Sequence, residues 1–310
     1  MSVSDVPTFS LPELRRGARQ EELRHCLEHI GAFYLTDFGI SDADHGTMVG
    51  STLDFFHHAS DEEKRAVTNT NPAVRRGYSR LEKESTARIT NTGDYTDYSM
   101  AYSAGLSDNL YPSAEFSETF SGYFDQAYRI AQDAGKAVLQ AAGVEVEEGL
   151  DAFLECDPLL RFRYFPDVPR ERCAEHTPAR MAPHYDISVI TLIHQTPCAN
   201  GFVSLQCETQ GGYVDLPHKP EALIVMCGAV ATLLSNGKLR ASRHQIMSPP
   251  EKLRVGSSRT SSVFFLRPKS DFTFSVRQAK ACGLDVIVTG ETATFKDWIG
   301  GNYVEMRTVD

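Results

Sequence analysis

Two histidines and one aspartate in the second half of the chain have the side-chain types and the spacing of a metal site. His184 and Asp186 flank Tyr185, and His244 follows much further along the chain. Two imidazoles and one carboxylate can bind one face of a mononuclear non-haem iron(II) ion and leave its other positions open for chemistry. The three residues therefore predict an iron(II) site that can activate O₂.

The segment after this pair supports a shared orientation of the two side chains. Residues 188–193 are rich in β-branched side chains, which is typical of a buried strand. Along extended backbone, residues i and i+2 point to the same side, so His184 and Asp186 can face one ion while Tyr185 faces away. A His-x-Asp pair is a weak signal alone, so the prediction depends on His244 and on the residues beyond it.

An arginine and a serine come after His244, at the start of an apolar run. Arg259 and Ser261 lie two residues apart and would share one face of a strand. A guanidinium group pairs bidentately with a carboxylate, and a nearby hydroxyl can donate a further hydrogen bond. The pair could hold the far carboxylate of a 2-oxo dicarboxylic acid whose keto-acid end chelates iron. An isolated Arg-x-Ser is more often part of a surface salt bridge, but its order after the metal motif favours a 2-oxoglutarate-dependent Fe(II) dioxygenase.

Composition excludes several other classes of protein. The chain has 310 residues, of which 41% are hydrophobic and 23% charged, as is typical of a soluble globular protein with a full core. A net charge of −10 without a basic stripe argues against nucleic acid as a partner. The seven cysteines include no Cys-x-x-Cys pair, and neither a secretory signal nor a membrane-spanning stretch is visible. These features predict reduced thiols and a cytoplasmic location without membrane contact.

The first half of the chain is predicted to be mainly helical. Strand-like segments cover 6–11 and 32–38, and helices are expected over 14–30, from Ser41 to about 59, from Ser60 onward and over 113–142. Between them, residues 69–112 form a long polar segment, which is often functional inside a compact domain.

After residue 157 the pattern changes to short strands separated by Pro, Gly and Asn. Strands are expected over 159–165, 188–195, 202–207, 222–226, 260–266 and 272–276, with a short helix after them over 295–303. This spacing predicts a mostly β fold with flanking helices, and a jelly roll is attractive because ligands from two of its strands can converge inside its mouth. We predict one domain over 1–310, with a helical layer and edge strands in 1–157 and the jelly-roll core in 158–310. On these strands, His194 is interpreted as a packed histidine, and Cys198 and Cys207 as inert core thiols.

Several long strings in the sequence resemble one family of oxygenases. They include Arg75–Tyr78, Glu84–Ala87, Asp97–Met100, Leu159–Pro166, Met181–Asp186, Gln195–Gln206, Gly256–Pro268 and Asp297–Tyr303. The chain is similar on these strings to the deacetoxycephalosporin C synthase and deacetylcephalosporin C synthase family of 2-oxoglutarate-dependent Fe(II) dioxygenases. The resemblance implies a distorted jelly roll of the isopenicillin N synthase-like type. It also implies Fe(II), 2-oxoglutarate and O₂ as the reagents, with the ion on His184, Asp186 and His244 and the co-substrate on Arg259 and Ser261.

The resemblance further implies a small anionic β-lactam as substrate, bound by Arg75, Arg76, Arg161, Arg163, Thr191, Ile193 and Arg267. Independently of the resemblance, Arg161 and Arg163 would share a strand face, where their guanidinium groups repel unless an anion joins them. A carboxylated substrate would supply that anion. An internal network of arginines with Asp or Glu side chains is the alternative for these two residues.

The reaction that the resemblance implies is oxidative ring expansion of penicillin N to deacetoxycephalosporin C, with release of succinate and CO₂. Hydroxylation of deacetoxycephalosporin C, or both activities in one enzyme, would use the same metal and co-substrate residues and is the alternative. Glu305 stands where relatives usually carry a neutral polar residue, so the preference for the substrate side chain stays open. Weak self-association stays open as well.

Two other classes of protein also fit part of the pattern. One is a non-catalytic jelly-roll protein that keeps the pocket, and the retained iron and co-substrate positions argue against it. The other is a related oxygenase that makes the penam nucleus without 2-oxoglutarate, because a Ser/Arg pair can hold another carboxylate.

Overall fold

A computed structural model describes residues 6–71 and 74–306, and predictions that fall on the remaining positions, such as the start of the chain and its last residues, lie outside the described residues. The helices are α1 (Leu11–Arg15), α2 (Gln20–His29), α3 (Asp42–His58), α4 (Asp61–Ala66), α5 (Thr86–Ile89), α6 (Ala114–Ala141), α7 (Leu150–Phe153), α8 (Ala229–Leu234), α9 (Val276–Ala281) and α10 (Phe295–Met306).

The strands are β1 (Thr8–Ser10), β2 (Ala32–Thr36), β3 (Gly77–Ser79), β4 (Met100–Ala104), β5 (Leu159–Phe165), β6 (Ala179–His184), β7 (Ile190–Gln195), β8 (Leu205–Thr209), β9 (Gly212–Asp215), β10 (Leu223–Cys227), β11 (His244–Met247), β12 (Arg259–Leu266), β13 (Thr273–Ser275) and β14 (Thr292–Thr294). Eight of them form a large sheet in the order β1-β2-β10-β7-β12-β5-β4-β3, and four form a smaller sheet in the order β6-β11-β8-β9. The predicted mostly β fold with flanking helices is confirmed.

Alternating side chains of the large sheet divide the interior into two apolar cores. On β12, Phe264 and Leu266 join the larger core, whereas Val263 joins the smaller one together with residues of β6, β8 and β11. On β7, Leu192 and Ile193 are divided in the same way. Successive strand residues point to opposite faces, so one face of the large sheet packs on helices and the other faces the small sheet.

Helix α6 covers the outer face of the large sheet. Ser113 caps its N-terminus by accepting a hydrogen bond from the backbone N–H of Phe116. Gly135 lets this helix approach β12 closely, because a Cβ atom there would lie 2.6 Å from Leu266 Cδ2. The helix thereby supports the strand that carries Arg259 and Ser261.

A buried pair of histidines joins α3 to β7. The rings of His45 and His194 stack with their centroids 3.4 Å apart, and His45 Nε2 lies 3.0 Å from Ser262 Oγ. Tyr123 Oη lies 3.3 Å from His194 Nδ1. His194 is therefore a packed strand histidine, as predicted.

Some predicted elements differ from the observed ones. The helix expected over 14–30 is two helices, because Gly17 adopts a left-handed φ of +65° between them. The polar segment over 69–112 contains β3, α5 and β4. All seven cysteines are free in the structure, and six of them are buried. In the described part of the chain, no helix is long and apolar enough to cross a membrane.

Candidate active site

The three predicted metal ligands meet where β6 ends and β11 begins. These strands are antiparallel neighbours, and their register places His184 opposite His244. The two imidazole rings lie with centroids 4.4 Å apart, and Asp186, two residues beyond His184, brings its Oδ1 to 3.7 Å from His184 Nε2. One ligand atom from each side chain lies within 4.8 Å of the other two. Strand pairing thus brings together residues that are far apart in sequence.

Hydrogen bonds orient both imidazoles for metal binding. His184 Nδ1 donates to Ala182 O at 2.8 Å, and His244 Nδ1 donates to Ser242 O at 3.0 Å, since a carbonyl oxygen can only accept. This leaves each Nε2 with a free lone pair. Burial, reinforced by the neighbouring His244, lowers the pKa of His184 and keeps the ring neutral, as a metal ligand must be.

The aspartate completes a site that fits iron(II). Asp186 Oδ2 is buried and has no hydrogen-bond partner among the described residues. A buried carboxylate oxygen without a partner is costly unless a cation or a donor satisfies it. Two neutral imidazoles and this carboxylate match the donor set of a mononuclear iron(II) centre.

Arg259 and Ser261 form a second polar group on β12. Arg259 Nη2 donates to Ser261 Oγ at 2.7 Å and to Gln195 Oε1 at 2.6 Å. The arginine is only 4% exposed, so it does not belong to a surface salt bridge. Burial lowers the pKa of Arg259 to about 10, which leaves the side chain charged at neutral pH. Its Nη1 has no partner within the described ranges and remains available for an anion.

Gln195 is a site residue that the sequence analysis did not single out. It lies opposite Ser261 in the pairing of β7 with β12, and its Nε2 donates to Leu216 O at 2.9 Å. That bond fixes the amide so that its Oε1 faces Arg259. Its position on the predicted strand could have identified it, because Gln195 lies two residues after Ile193 and therefore on the same face of the strand.

A cavity connects the three predicted metal ligands with Ser261 and with several arginines. Of the predicted substrate residues, Arg75, Arg161, Arg163, Ile193 and Arg267 line it. Tyr185 also lines it instead of facing away, contrary to the expectation from strand alternation, because β6 ends at His184.

Two predicted substrate residues do not reach this cavity. Arg76 donates from Nε to Ser107 O at 2.9 Å and from Nη1 to Arg75 O, so it packs against the following loop. Thr191 is fully buried, and its Oγ1 lies 3.0 Å from Ser188 Oγ. Their proposed substrate contacts stay predictions.

The arginines of the cavity are also part of an internal network. Arg161 Nη2 donates to both carboxylate oxygens of Glu84, at 2.7 and 2.8 Å. Arg75 Nη1 lies 2.8 Å from Glu84 Oε1, and Arg163 Nη2 lies 3.3 Å from Oε2. The internal network that was the alternative for these arginines is therefore present, with Glu84 at its centre. The same arginines also line the cavity.

Helix α10 closes one side of the cavity. Arg267 Nη1 donates to Tyr303 Oη at 2.9 Å, and the Arg75 guanidinium lies 4.2 Å from the centre of the Tyr303 ring. Arg267 Nη2 pairs with Asp157 at 3.2 Å. Glu305 is exposed on this helix, whereas its neighbour Met306 lines the cavity.

Sequence comparisons match the chain to oxygenase families and to two full-length relatives. Residues 156–268 match the 2OG-Fe(II) oxygenase superfamily, and residues 3–116 match the family described as non-haem dioxygenase in morphine synthesis N-terminal. The chain is 58% identical to deacetoxycephalosporin C synthase of Amycolatopsis lactamdurans, covering 99% of this chain and 98% of the relative. It is 54% identical to deacetoxycephalosporin C hydroxylase of Streptomyces clavuligerus, with the same coverage.

Solved structures show the same fold at low sequence identity. A full-length Neurospora crassa protein in complex with alpha-KG and thymine superposes with a TM-score of 0.76 at 20% identity and 96% coverage of both chains. A 2OG-Fe(II) oxygenase family protein of Caulobacter crescentus gives a TM-score of 0.72 at 21% identity, covering 97% of this chain and 98% of that one. The fold, the donor set and the two full-length relatives together show that the chain belongs to the 2OG-Fe(II) oxygenase superfamily, in the family of deacetoxycephalosporin C synthase and hydroxylase, and is a 2-oxoglutarate-dependent non-haem iron dioxygenase.

Proposed function

We propose that this enzyme catalyses the oxidative ring expansion of penicillin N to deacetoxycephalosporin C. Penicillin N, 2-oxoglutarate and O₂ are consumed, and the cephem, succinate, CO₂ and water are formed. The observation that carries the proposal is one cavity lined by a His-Asp-His site, by Ser261 and by four arginines of the predicted substrate set. The full-length identity of 58% to a deacetoxycephalosporin C synthase supports the choice of substrate.

In this proposal, His184, Asp186 and His244 hold the iron. Bound iron supplies the oxidising power, gained by oxidative decarboxylation of 2-oxoglutarate, that removes two hydrogen atoms from the penicillin. Arg259 and Ser261 hold the far carboxylate of 2-oxoglutarate, with the unpartnered Nη1 as the additional donor.

Arg75, Arg161 and Arg163, which all contact Glu84, form an arginine cluster that would bind the carboxylate of the penam nucleus. Arg161 and Arg163 line the cavity from β5, and β12 places Ser261 opposite Arg163. Ile193 and Val263 add apolar wall beside these groups. Such a wall excludes water from a reactive centre and holds the ring methyl group in a fixed position.

Hydroxylation of deacetoxycephalosporin C is the second candidate, because the hydroxylase of Streptomyces clavuligerus is almost as similar to the chain as the synthase. Both reactions would use the same iron and co-substrate residues. A single enzyme with both activities is compatible with the same cavity. A small anionic β-lactam is the substrate class in either case.

The test is to supply penicillin N and deacetoxycephalosporin C separately to the Fe(II) enzyme with 2-oxoglutarate and O₂. We expect succinate together with a product that has lost two hydrogen atoms from penicillin N. Gain of one oxygen atom by the cephem alone would identify the hydroxylase, and both products would identify a bifunctional enzyme. Succinate formation with neither β-lactam product would overturn the proposed substrate. Product formed without 2-oxoglutarate would identify the co-substrate-independent class of oxygenase.

A further inference from the structure

Glu84 is a buried carboxylate that contacts three cavity arginines without lining the cavity itself. It is 7% exposed and accepts hydrogen bonds from Arg75, Arg161 and Arg163. The three arginines themselves line the cavity. Glu84 therefore acts on a bound molecule only through these guanidinium groups.

The carboxylate also determines the charge that this group of arginines presents. Burial alone would raise the pKa of Glu84, but Arg161, Arg75 and Arg163 outweigh it and hold that pKa below its usual range. Asp97 lies 4.0 Å from Arg163, and burial raises its pKa to about 6, so it is still ionised at neutral pH. Three guanidinium groups and two carboxylates leave an excess of one positive charge. Loss of Glu84 would leave two.

This difference matters because the reaction uses two anions in one cavity. The strand register places Ser261 of the co-substrate seat directly opposite Arg163 of the arginine cluster. 2-Oxoglutarate carries two carboxylates, whereas the penam nucleus carries one. A cluster with two uncompensated positive charges would attract the dianion strongly, since Coulomb interactions are weakly screened in a buried site.

We propose that Glu84 is a specificity-determining residue that keeps 2-oxoglutarate out of the β-lactam site, an inference that rests on the proposed function. Glu84 compensates one guanidinium charge of the cluster and holds all three arginines in place by hydrogen bonds. The cluster, with its excess of one positive charge, is then a site for one carboxylate. The co-substrate then binds only at Arg259 and Ser261, and the arginine cluster stays free for the substrate.

The test is the binding stoichiometry of 2-oxoglutarate, measured by isothermal titration calorimetry on Zn(II)-substituted enzyme, which does not turn over. Wild type should bind one equivalent, and Glu84→Gln should bind a second that penicillin N displaces. Glu84→Asp keeps the charge and should bind one. Glu22→Gln, which removes a carboxylate from an exposed pair with Arg19, is the matched control and should also bind one.

A kinetic measurement adds a second readout. In Glu84→Gln, raising 2-oxoglutarate above saturation should increase the apparent KM for penicillin N about tenfold or more, while wild type should change less than about twofold. If Glu84→Gln does not fold, Asp97→Asn removes the other carboxylate of the cluster and should likewise admit a second equivalent.

Three results would overturn the inference. The first is that wild type binds two equivalents of 2-oxoglutarate. The second is that a folded Glu84→Gln variant, or Asp97→Asn in its place, binds only one equivalent, and the third is that Glu84→Gln and Glu84→Asp bind a second equivalent equally well. Failure of wild type to convert either β-lactam, with iron-dependent consumption of 2-oxoglutarate intact, would instead overturn the proposed function and this inference with it.

Discussion

At the scale of single residues, the proposed metal site depends on the carboxylate of Asp186, whose Oδ2 has no hydrogen-bond partner in the described chain. Changing Asp186 to Ala removes the only anionic ligand of the described triad. We expect the iron affinity to fall by more than about a hundredfold and penicillin-dependent succinate formation to be lost. Iron content after dialysis and succinate release measure these two effects.

The control for this change is an aspartate outside the cavity. Asp151 pairs with Lys136 at the surface, at 2.7 Å, and Asp151→Ala should keep the iron content and activity of wild type. Turnover at the wild-type rate in Asp186→Ala would show that another group binds the iron.

The proposed co-substrate site depends on the buried Arg259, whose Nη1 has no hydrogen-bond partner in the described chain. Arg259→Gln removes both the charge and the free Nη1. Truncation of a buried charged partner costs about 2–5 kcal/mol, so the KM for 2-oxoglutarate should rise at least about thirtyfold. Gln195→Ala, which removes only one hydrogen bond to Arg259, should raise it less.

Arg240 provides the matched control, because it pairs with Glu208 and is partly exposed. Arg240→Gln should leave the KM for 2-oxoglutarate within about twofold of wild type. A KM that is unchanged in Arg259→Gln would place the co-substrate elsewhere.

Many residues of the candidate site could be predicted from their types, whereas their hydrogen-bond and ion-pair partners could not. His184, Asp186, His244, Arg259 and Ser261 give a signal through their order along the chain, although each pair alone is weak, and the structure brings them to one region. Glu84 is only the first residue of one of the family-like strings, and a single glutamate in a polar segment gives no signal of three arginine partners. Such partners are brought together by tertiary folding alone.

At the scale of elements, the stacked histidines make the contact between α3 and β7 sensitive to acid. Burial lowers the pKa of His45 to about 4, and burial with His45 nearby lowers the pKa of His194 to about 3. Both rings are therefore neutral in the folded protein but protonate below about pH 6.5 when unfolded. Their contribution to stability is complete above that pH and is lost as the pH falls towards their folded pKa values.

We accordingly expect the free energy of unfolding to fall by roughly 2 kcal/mol per histidine between pH 7 and pH 5. Urea unfolding at both pH values measures this loss. His45→Phe should lose clearly less stability over the same interval, and His58→Gln, at an exposed ring, should lose as much as wild type. An equal loss in His45→Phe and wild type would contradict the assignment to this pair.

Strands rich in leucine and aromatic residues could be predicted, and the two strands that carry the predicted metal histidines could not. β5 and β12 were expected almost at their observed bounds, because each contains several closely spaced leucine, valine or phenylalanine residues. β6 contains Arg180 and Pro183, and β11 is only four residues long. Met181 of β6 and Ile246 of β11 join the smaller core, but single apolar residues are too few to show the periodicity on which strand prediction depends.

At the scale of the whole molecule, both halves of the sequence build one sheet. β1 to β4 come from the segment expected to be a helical layer with edge strands, and they flank strands of the predicted core. The fold itself places β5 beside β12 and β6 beside β11, so that the arginines and the metal ligands meet in one cavity. A cytoplasmic location and weak self-association stay predictions.

The most direct test of the account is a single-turnover experiment with one equivalent each of Fe(II), 2-oxoglutarate and penicillin N, started by adding O₂. We predict that succinate and deacetoxycephalosporin C form in equal amounts, because the proposed iron ligands, Ser261 and the arginines proposed to bind the β-lactam line one cavity. Succinate formed at the same rate and yield without penicillin N, or with penicillin N recovered unchanged, would contradict the account.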